Sequence, residues 1–169
     1  MSDIFEYAMQ MELDGKAFYE KSAAGTAQPE LKKILLQLAQ EEEGHYKFFK
    51  RMKEGHPDAA AQIPTERPAM LTSKNLFQLM AQNGAQKPFG EDARSVWNHA
   101  LKIEEKAVKT YSDEAAKEKD SSRKRLLEMI ADEERTHVYL IDNILSYMVD
   151  PKGFVDSANY RNFMSWEGR

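Results

Sequence analysis

Two pairs of residues in this chain have the types and spacing to grip a metal ion: Glu42 with His45, and Glu134 with His137. Each pair is a Glu-x-x-His run. Residues three apart on a helix share a face, so carboxylate and imidazole can close on one ion. Two lone glutamates join them. Glu12 lies on the helical line Phe5-Ala8-Glu12-Gly15-Tyr19, and Glu104 on the line Trp97-Ala100-Glu104-Ala107-Tyr111. Small residues stand about one turn to either side of each glutamate. They leave a hole beside the carboxylate where a plain core would place Leu. No Arg or Lys lies on these stripes to pair the charges. An ionised carboxylate buried alone costs several kcal/mol even after relaxation, against a total stability of about 5–15 kcal/mol. A pair of divalent cations would match the four negative charges. The chain has no cysteine, which excludes disulfides, thiolate zinc sites, iron–sulfur clusters and cysteine nucleophiles together. Any metal is therefore held by nitrogen and oxygen, a donor set that suits iron or manganese better than copper.

The pattern occurs twice. A shift of 92 residues places Ala8 on Ala100, Glu12 on Glu104, Tyr19 on Tyr111, Leu35 on Leu127, Ala39 on Ala131, Glu41 on Glu133, Glu42 on Glu134 and His45 on His137, without a gap. Two single glutamates and two Glu-x-x-His pairs, all facing inward, form the donor set of dimetal carboxylate helix bundles. Glu41 and Glu133 lie one turn before the two histidines. They either orient the imidazoles, as outer carboxylates of metal sites do, or face solvent. His56 follows Gly55 in a loop and is expected to be exposed, and His99 neighbours the stripe without lying on it.

The elements that must position these residues are helices. Asp3 can cap a first helix carrying Phe5, Ala8, Met11, Gly15, Phe18 and Ser22 at helical spacing, with Gly25 at its end. Pro29 suits the first position of a second helix, which shows Leu31, Leu35, Leu38, Phe49 and Met52 and stops at Gly55. Four of the six prolines fall between His56 and Pro88, a stretch interrupted by a short helix expected from Thr72 to about Gln82. A third long helix is expected from Glu91 to about Lys119, and a fourth from Ser121 to Met148, ended by Pro151 and Gly153. Short first and last connections make antiparallel hairpins. The long middle connection can recross a helix of ~40 Å, at ~1.5 Å of rise per helical residue. The expectation is an all-α, ferritin-like four-helix bundle with one long crossover between helices 2 and 3. Residues 1–150 would form the bundle, and the tail 151–169, with Phe154, Tyr160, Phe163 and Trp166, would pack on it.

At 169 residues and 41% apolar content one core can be filled. A net charge of −4 gives no reason to expect nucleic acid or an anionic membrane as partner. No apolar run is long enough to span a bilayer. Met1 to Glu6 has neither a basic segment nor an apolar signal region, so a cytoplasmic protein is expected.

On these residues the chain resembles the rubrerythrin branch of the ferritin-like superfamily. Glu12 with Tyr19, Glu42 with His45, Glu104 with Tyr111 and Glu134 with His137 carry the likeness, over about residues 3–148. The resemblance implies that Glu42 and Glu134 bridge two ions. Glu12 and His45 would complete one ion, and Glu104 and His137 the other. Tyr19 and Tyr111 would donate hydrogen bonds to ligand carboxylates. Two departures stand out. Rubrerythrins usually carry a four-cysteine rubredoxin-type iron site, and this chain has no cysteine. They also have an extra carboxylate one turn after the glutamate of the third helix, where this chain has Ala107, with Gly15 at the equivalent point of the first helix. The likeness is thus to a single-domain, six-ligand member. Such a site should be nearly symmetric, with His45 and His137 bound in both redox states. The implied activity is that of a non-haem oxidoreductase with two iron ions, or manganese or a mixed pair. It would reduce hydrogen peroxide, with dioxygen as a further oxidant, draw electrons from an external donor protein and act as a homodimer. The same donor set also serves bacterioferritin-like iron storage, manganese catalases and di-iron hydroxylases.

Overall fold

Helix ends in this chain are set by a few side chains. The computed structural model describes residues 3–85, 89–90 and 92–167. The Asp3 carboxylate accepts a hydrogen bond from the Phe5 amide at 3.2 Å and opens α1 (Ile4–Ala24). Pro29, which has no amide hydrogen to leave unpaired, opens α2 (Pro29–Lys53). Gly55 then turns the chain with φ of 93°, a conformation that glycine takes without strain. A single 3-10 turn, Ala59–Gln62, leads to α3 (Pro68–Gln82). This helix begins four residues earlier than Thr72, because Pro68 is as well suited to a first turn as Pro29. After it come α4 (Ala93–Lys117) and α5 (Ser121–Val149). Asp120 caps α5 by accepting from the Arg123 amide at 2.9 Å. Glu91, where the sequence places the start of the third long helix, and Pro88 lie outside the described residues. The tail forms two short helices, α6 (Pro151–Val155) and α7 (Ala158–Ser165).

α1 pairs with α2 and α4 with α5 as two hairpins, and α3 in the crossover rests on α2 and α5. All described elements are helical, and the architecture is the ferritin-like four-helix bundle. Among the described residues no helix is long and apolar enough to cross a membrane.

The apolar core comes in two blocks. One holds Leu35, Leu38, Trp97, Ala100, Leu140, Ile141 and Tyr19. The other holds Phe5, Ala8, Phe49, Tyr111, Leu127 and Ile130. On each long helix the switch from one block to the other falls at the polar residues of the repeat: Glu12, Glu42 with His45, Glu104, and Glu134 with His137. These form a buried polar layer clamped between two apolar ones. The first block extends into the tail. Phe77 of α3 stacks on Tyr147 with ring centroids 4.7 Å apart, and Phe154 and Phe163 close around the pair at 6.1 and 5.4 Å from Phe77. Lys74 donates to the Trp166 carbonyl and fastens the end of α7.

Candidate metal centre

All six inward residues of the repeat meet in the polar layer, and all are buried. Their ligand atoms fall into two groups, each within 4.8 Å: Glu12, Glu42, His45 and Glu134, and Glu42, Glu104, Glu134 and His137. Glu42 and Glu134 belong to both. Both imidazoles turn Nδ1 into the layer. His45 Nδ1 is 3.0 Å from Glu134 Oε1 and 3.4 Å from Glu12 Oε2. His137 Nδ1 is 3.0 Å from Glu134 Oε2, 3.1 Å from Glu42 Oε1 and 3.3 Å from Glu104 Oε1. The hole foreseen beside the carboxylates is visible at Gly15, where a Cβ would stand 3.1 Å from Glu42 Oε2.

Tyr19 and Tyr111 serve the layer from opposite apolar blocks. Tyr111 of α4 donates to Glu12 Oε1 of α1 at 2.5 Å, and Tyr19 of α1 donates to Glu104 Oε1 of α4. Each tyrosine thus holds the glutamate of the other hairpin. Burial and the neighbouring carboxylates push both phenols well above their ordinary pKa, so they stay neutral donors.

The layer holds more acceptors than donors. A ring nitrogen carries at most one proton, yet two carboxylate oxygens face Nδ1 of His45 and three face that of His137, and Glu104 Oε2 finds no donor at all. The charges answer accordingly. Burial pushes Glu42 and Glu134 up, and the surrounding glutamates push them further. Burial alone would lower both histidines. The carboxylates, Glu134 and Glu12 around His45 and Glu104 around His137, instead hold them well above 6.5. Burial also opposes ionisation of Glu12, but His45 beside it draws it from 4.5 down to about 2, and His137 likewise lowers Glu104. Without metal the layer therefore balances itself with protons. An excess of buried oxygen acceptors around two inward imidazole nitrogens is the donor chemistry of a divalent ion pair, so the residues fit one.

The family model described as Rubrerythrin matches residues 3–145. The chain belongs to the rubrerythrin family. No curated protein and no solved structure matches it. The 169 residues contain no cysteine, so they hold no four-cysteine iron site, and the donor groups of the layer are glutamates and histidines.

The outer surroundings of this family member's two histidines differ. His45 Nε2 donates to Glu133 Oε2 at 2.6 Å. Glu133 in turn is paired through Oε1 with Arg67 Nη2 at 2.8 Å. His137 Nε2 stands 3.7 Å from Glu41 Oε1. Each outer carboxylate thus turns to the histidine of the other hairpin, and only one pair is tight. The inner residues and the two tyrosines follow the repeat, while the outer contacts of the two histidines do not. Arg67 was missed by sequence reasoning, because a lone arginine among the prolines of the crossover gives no sign of reaching α5. His56 is exposed. His99 is exposed too, and lies against the Phe18 ring with centroids 4.7 Å apart, away from the layer.

Proposed function

We propose that this chain is a non-haem di-iron oxidoreductase that reduces hydrogen peroxide. Glu42 and Glu134 would be shared between the ions, Glu12 and His45 would complete one, and Glu104 and His137 the other. The observation that carries this reading is the pair of overlapping ligand groups, set in a layer closed by apolar blocks on both sides. When bound, two ferrous ions supply one electron each, enough to cleave one O–O bond. The overall change consumes peroxide, two electrons and two protons and yields two waters. The chain's own part is to hold the donors still. Tyr111 holds Glu12 and Tyr19 holds Glu104, each through Oε1, and Glu133 fixes the tilt of the His45 ring. The apolar blocks keep bulk water from the layer, which strengthens every charge interaction within it. In this reading the electrons come from a donor outside these 169 residues, which hold no cysteine for an iron–sulfur relay.

The reading is tested by reconstituting the protein anaerobically with ferrous iron and mixing it rapidly with peroxide or with dioxygen. Two irons per chain and a faster reaction with peroxide are expected. A faster reaction with dioxygen that leaves iron mineral would establish storage instead.

A further inference from the structure

Beside the metal layer, α2 and the crossover enclose a cleft of about 320 Å³. Phe48, Pro64 and Pro68 give it apolar walls, and its floor is made of Glu41, His45 and Glu133. The geometry points to this cleft as the binding site of a small neutral aromatic reductant of the hydroquinone class, which delivers electrons to the metal pair through the His45 imidazole. The inference rests on the oxidoreductase reading above and names its donor.

Four observations carry it. The first is Gly44, in the middle of α2 and on the cleft wall. Glycine inside a helix costs about 1 kcal/mol relative to alanine. Here neither backbone nor packing requires it: its φ is not positive, and a Cβ would meet nothing within 4 Å. The missing side chain opens the cleft. The second is the polar lining. Gln37 Oε1 and Glu41 Oε2, one turn apart on α2, are buried acceptors without a hydrogen-bond partner, and they call for a ligand with hydroxyl donors. The third is charge. Arg67 is already occupied, donating to the carbonyls of Pro64 at 2.7 Å and Glu66 at 2.9 Å and pairing with Glu133 at 2.8 Å. No cation is left for an anionic ligand, while Glu41 and Glu66 repel one. The fourth is the orientation of His45. Its Nδ1 faces the ligand carboxylates, and its Nε2 faces Glu133 on the cleft side. A molecule in the cleft is therefore separated from the layer by the ring. It can pass electrons but cannot exchange atoms with a bound ion, which excludes the cleft as the peroxide site.

The step balances. A hydroquinone gives up two electrons and two protons and leaves as the quinone. The electrons would return a bound, oxidised metal pair to the divalent state, and the protons would leave to water at the cleft mouth.

Gly44→Leu fills the cleft from a position where a Cβ meets nothing within 4 Å, and Gly44→Ala serves as a control that fills little of it. Two measurements are made on the full chain with methylhydroquinone. In the metal-free protein under anaerobic conditions, amide signals of Gly44 and Phe48 should shift saturably in the wild type, and affinity should fall at least about tenfold in Gly44→Leu. In the iron-loaded, peroxide-oxidised protein, re-reduction should saturate with methylhydroquinone and slow by a similar factor in Gly44→Leu alone. Reduction by dithionite and oxidation by peroxide should be unchanged in both variants. Re-reduction linear in methylhydroquinone and indifferent to Gly44→Leu, or binding in the cleft without electron transfer, overturns the proposal. A protein that fails to react with peroxide sinks the oxidoreductase reading instead, and the metal-free binding measurement reports on the cleft separately.

Discussion

His45 and His137 occupy equivalent places in the repeat, yet their outer nitrogens meet carboxylates at 2.6 and 3.7 Å. The difference traces to Arg67. The crossover passes the bundle once, and among the described residues it brings an arginine to Glu133 and none to Glu41. Burial opposes ionisation of Glu133, but the His45 hydrogen bond and the nearby Arg67 hold it below its ordinary value and keep it an acceptor. A ligand ring fixed in this way binds metal better, and loss of such an outer partner commonly costs 10–100-fold in affinity, so about tenfold is expected here. Two manganous ions should therefore bind with unequal affinity, the tighter one beside His45. Arg67→Met keeps the length of the side chain and removes the cation, and should weaken that tighter step by about tenfold while sparing the other. Calorimetric titration with manganese checks this. Equal steps in the wild type, or steps that Arg67→Met leaves alone, would show the outer contact to be irrelevant. The six inner residues fall into two four-residue groups that share Glu42 and Glu134, but the outer contacts of the two histidines differ.

At the scale of elements, the long helices each cross from one apolar block to the other, and the polar layer is pinned from both sides. α3 and the tail helices thicken only one block, through Phe77, Tyr147, Phe154 and Phe163. Phe77 is fully buried, and its removal leaves a hole lined by three other rings. Phe77→Ala should cost about 3–5 kcal/mol, the usual price of such a truncation. The layer is held by residues of α1, α2, α4 and α5, so metal stoichiometry should stay at two per chain. Denaturant unfolding and metal analysis of the same preparation check both halves. A stoichiometry that falls with stability would mean that the tail also shapes the metal layer.

For the whole molecule, protons and metal compete for one layer, and that sets how stability follows pH. In the metal-free protein Glu12 is depressed from 4.5 to about 2, so its contribution is present above pH 4.5 and is lost as pH falls towards 2. His45 and His137 are raised above 6.5, so theirs is present below that value and is lost as pH climbs through the raised one. Glu42 and Glu134 are raised too, so the folded state holds protons that the unfolded chain has released, and stability again falls as pH rises above 4.5. The metal-free protein should thus be most stable in mildly acid solution. Metal ions would displace protons from these groups, and ions that bind only the folded state would stabilise it further. The stabilisation by metal should therefore grow as pH is raised from about 5 to about 8. Melting temperatures measured across that range, with chelator and with manganese, check this. Parallel curves would mean that metal and protons do not share the layer.

Much of the molecule follows from local rules. The four long helices, the two hairpins and the six inward residues were legible because each depends on a helical period and on a repeat that preserves it. A carboxylate on an apolar stripe is conspicuous without knowing what lies opposite. The supports were legible only as roles, Tyr19 and Tyr111 as donors to carboxylates and Glu41 and Glu133 as candidates to orient the imidazoles, and not as pairings. That Tyr19 reaches Glu104 and Tyr111 reaches Glu12, that Glu133 turns to His45 across the hairpins, that Arg67 backs one histidine, and that Gly44 opens a cleft were decided by tertiary structure. Each is a contact between elements far apart in the chain, fixed by how the helices are rotated and by where a proline-rich crossover is laid down. No period within one helix encodes those quantities.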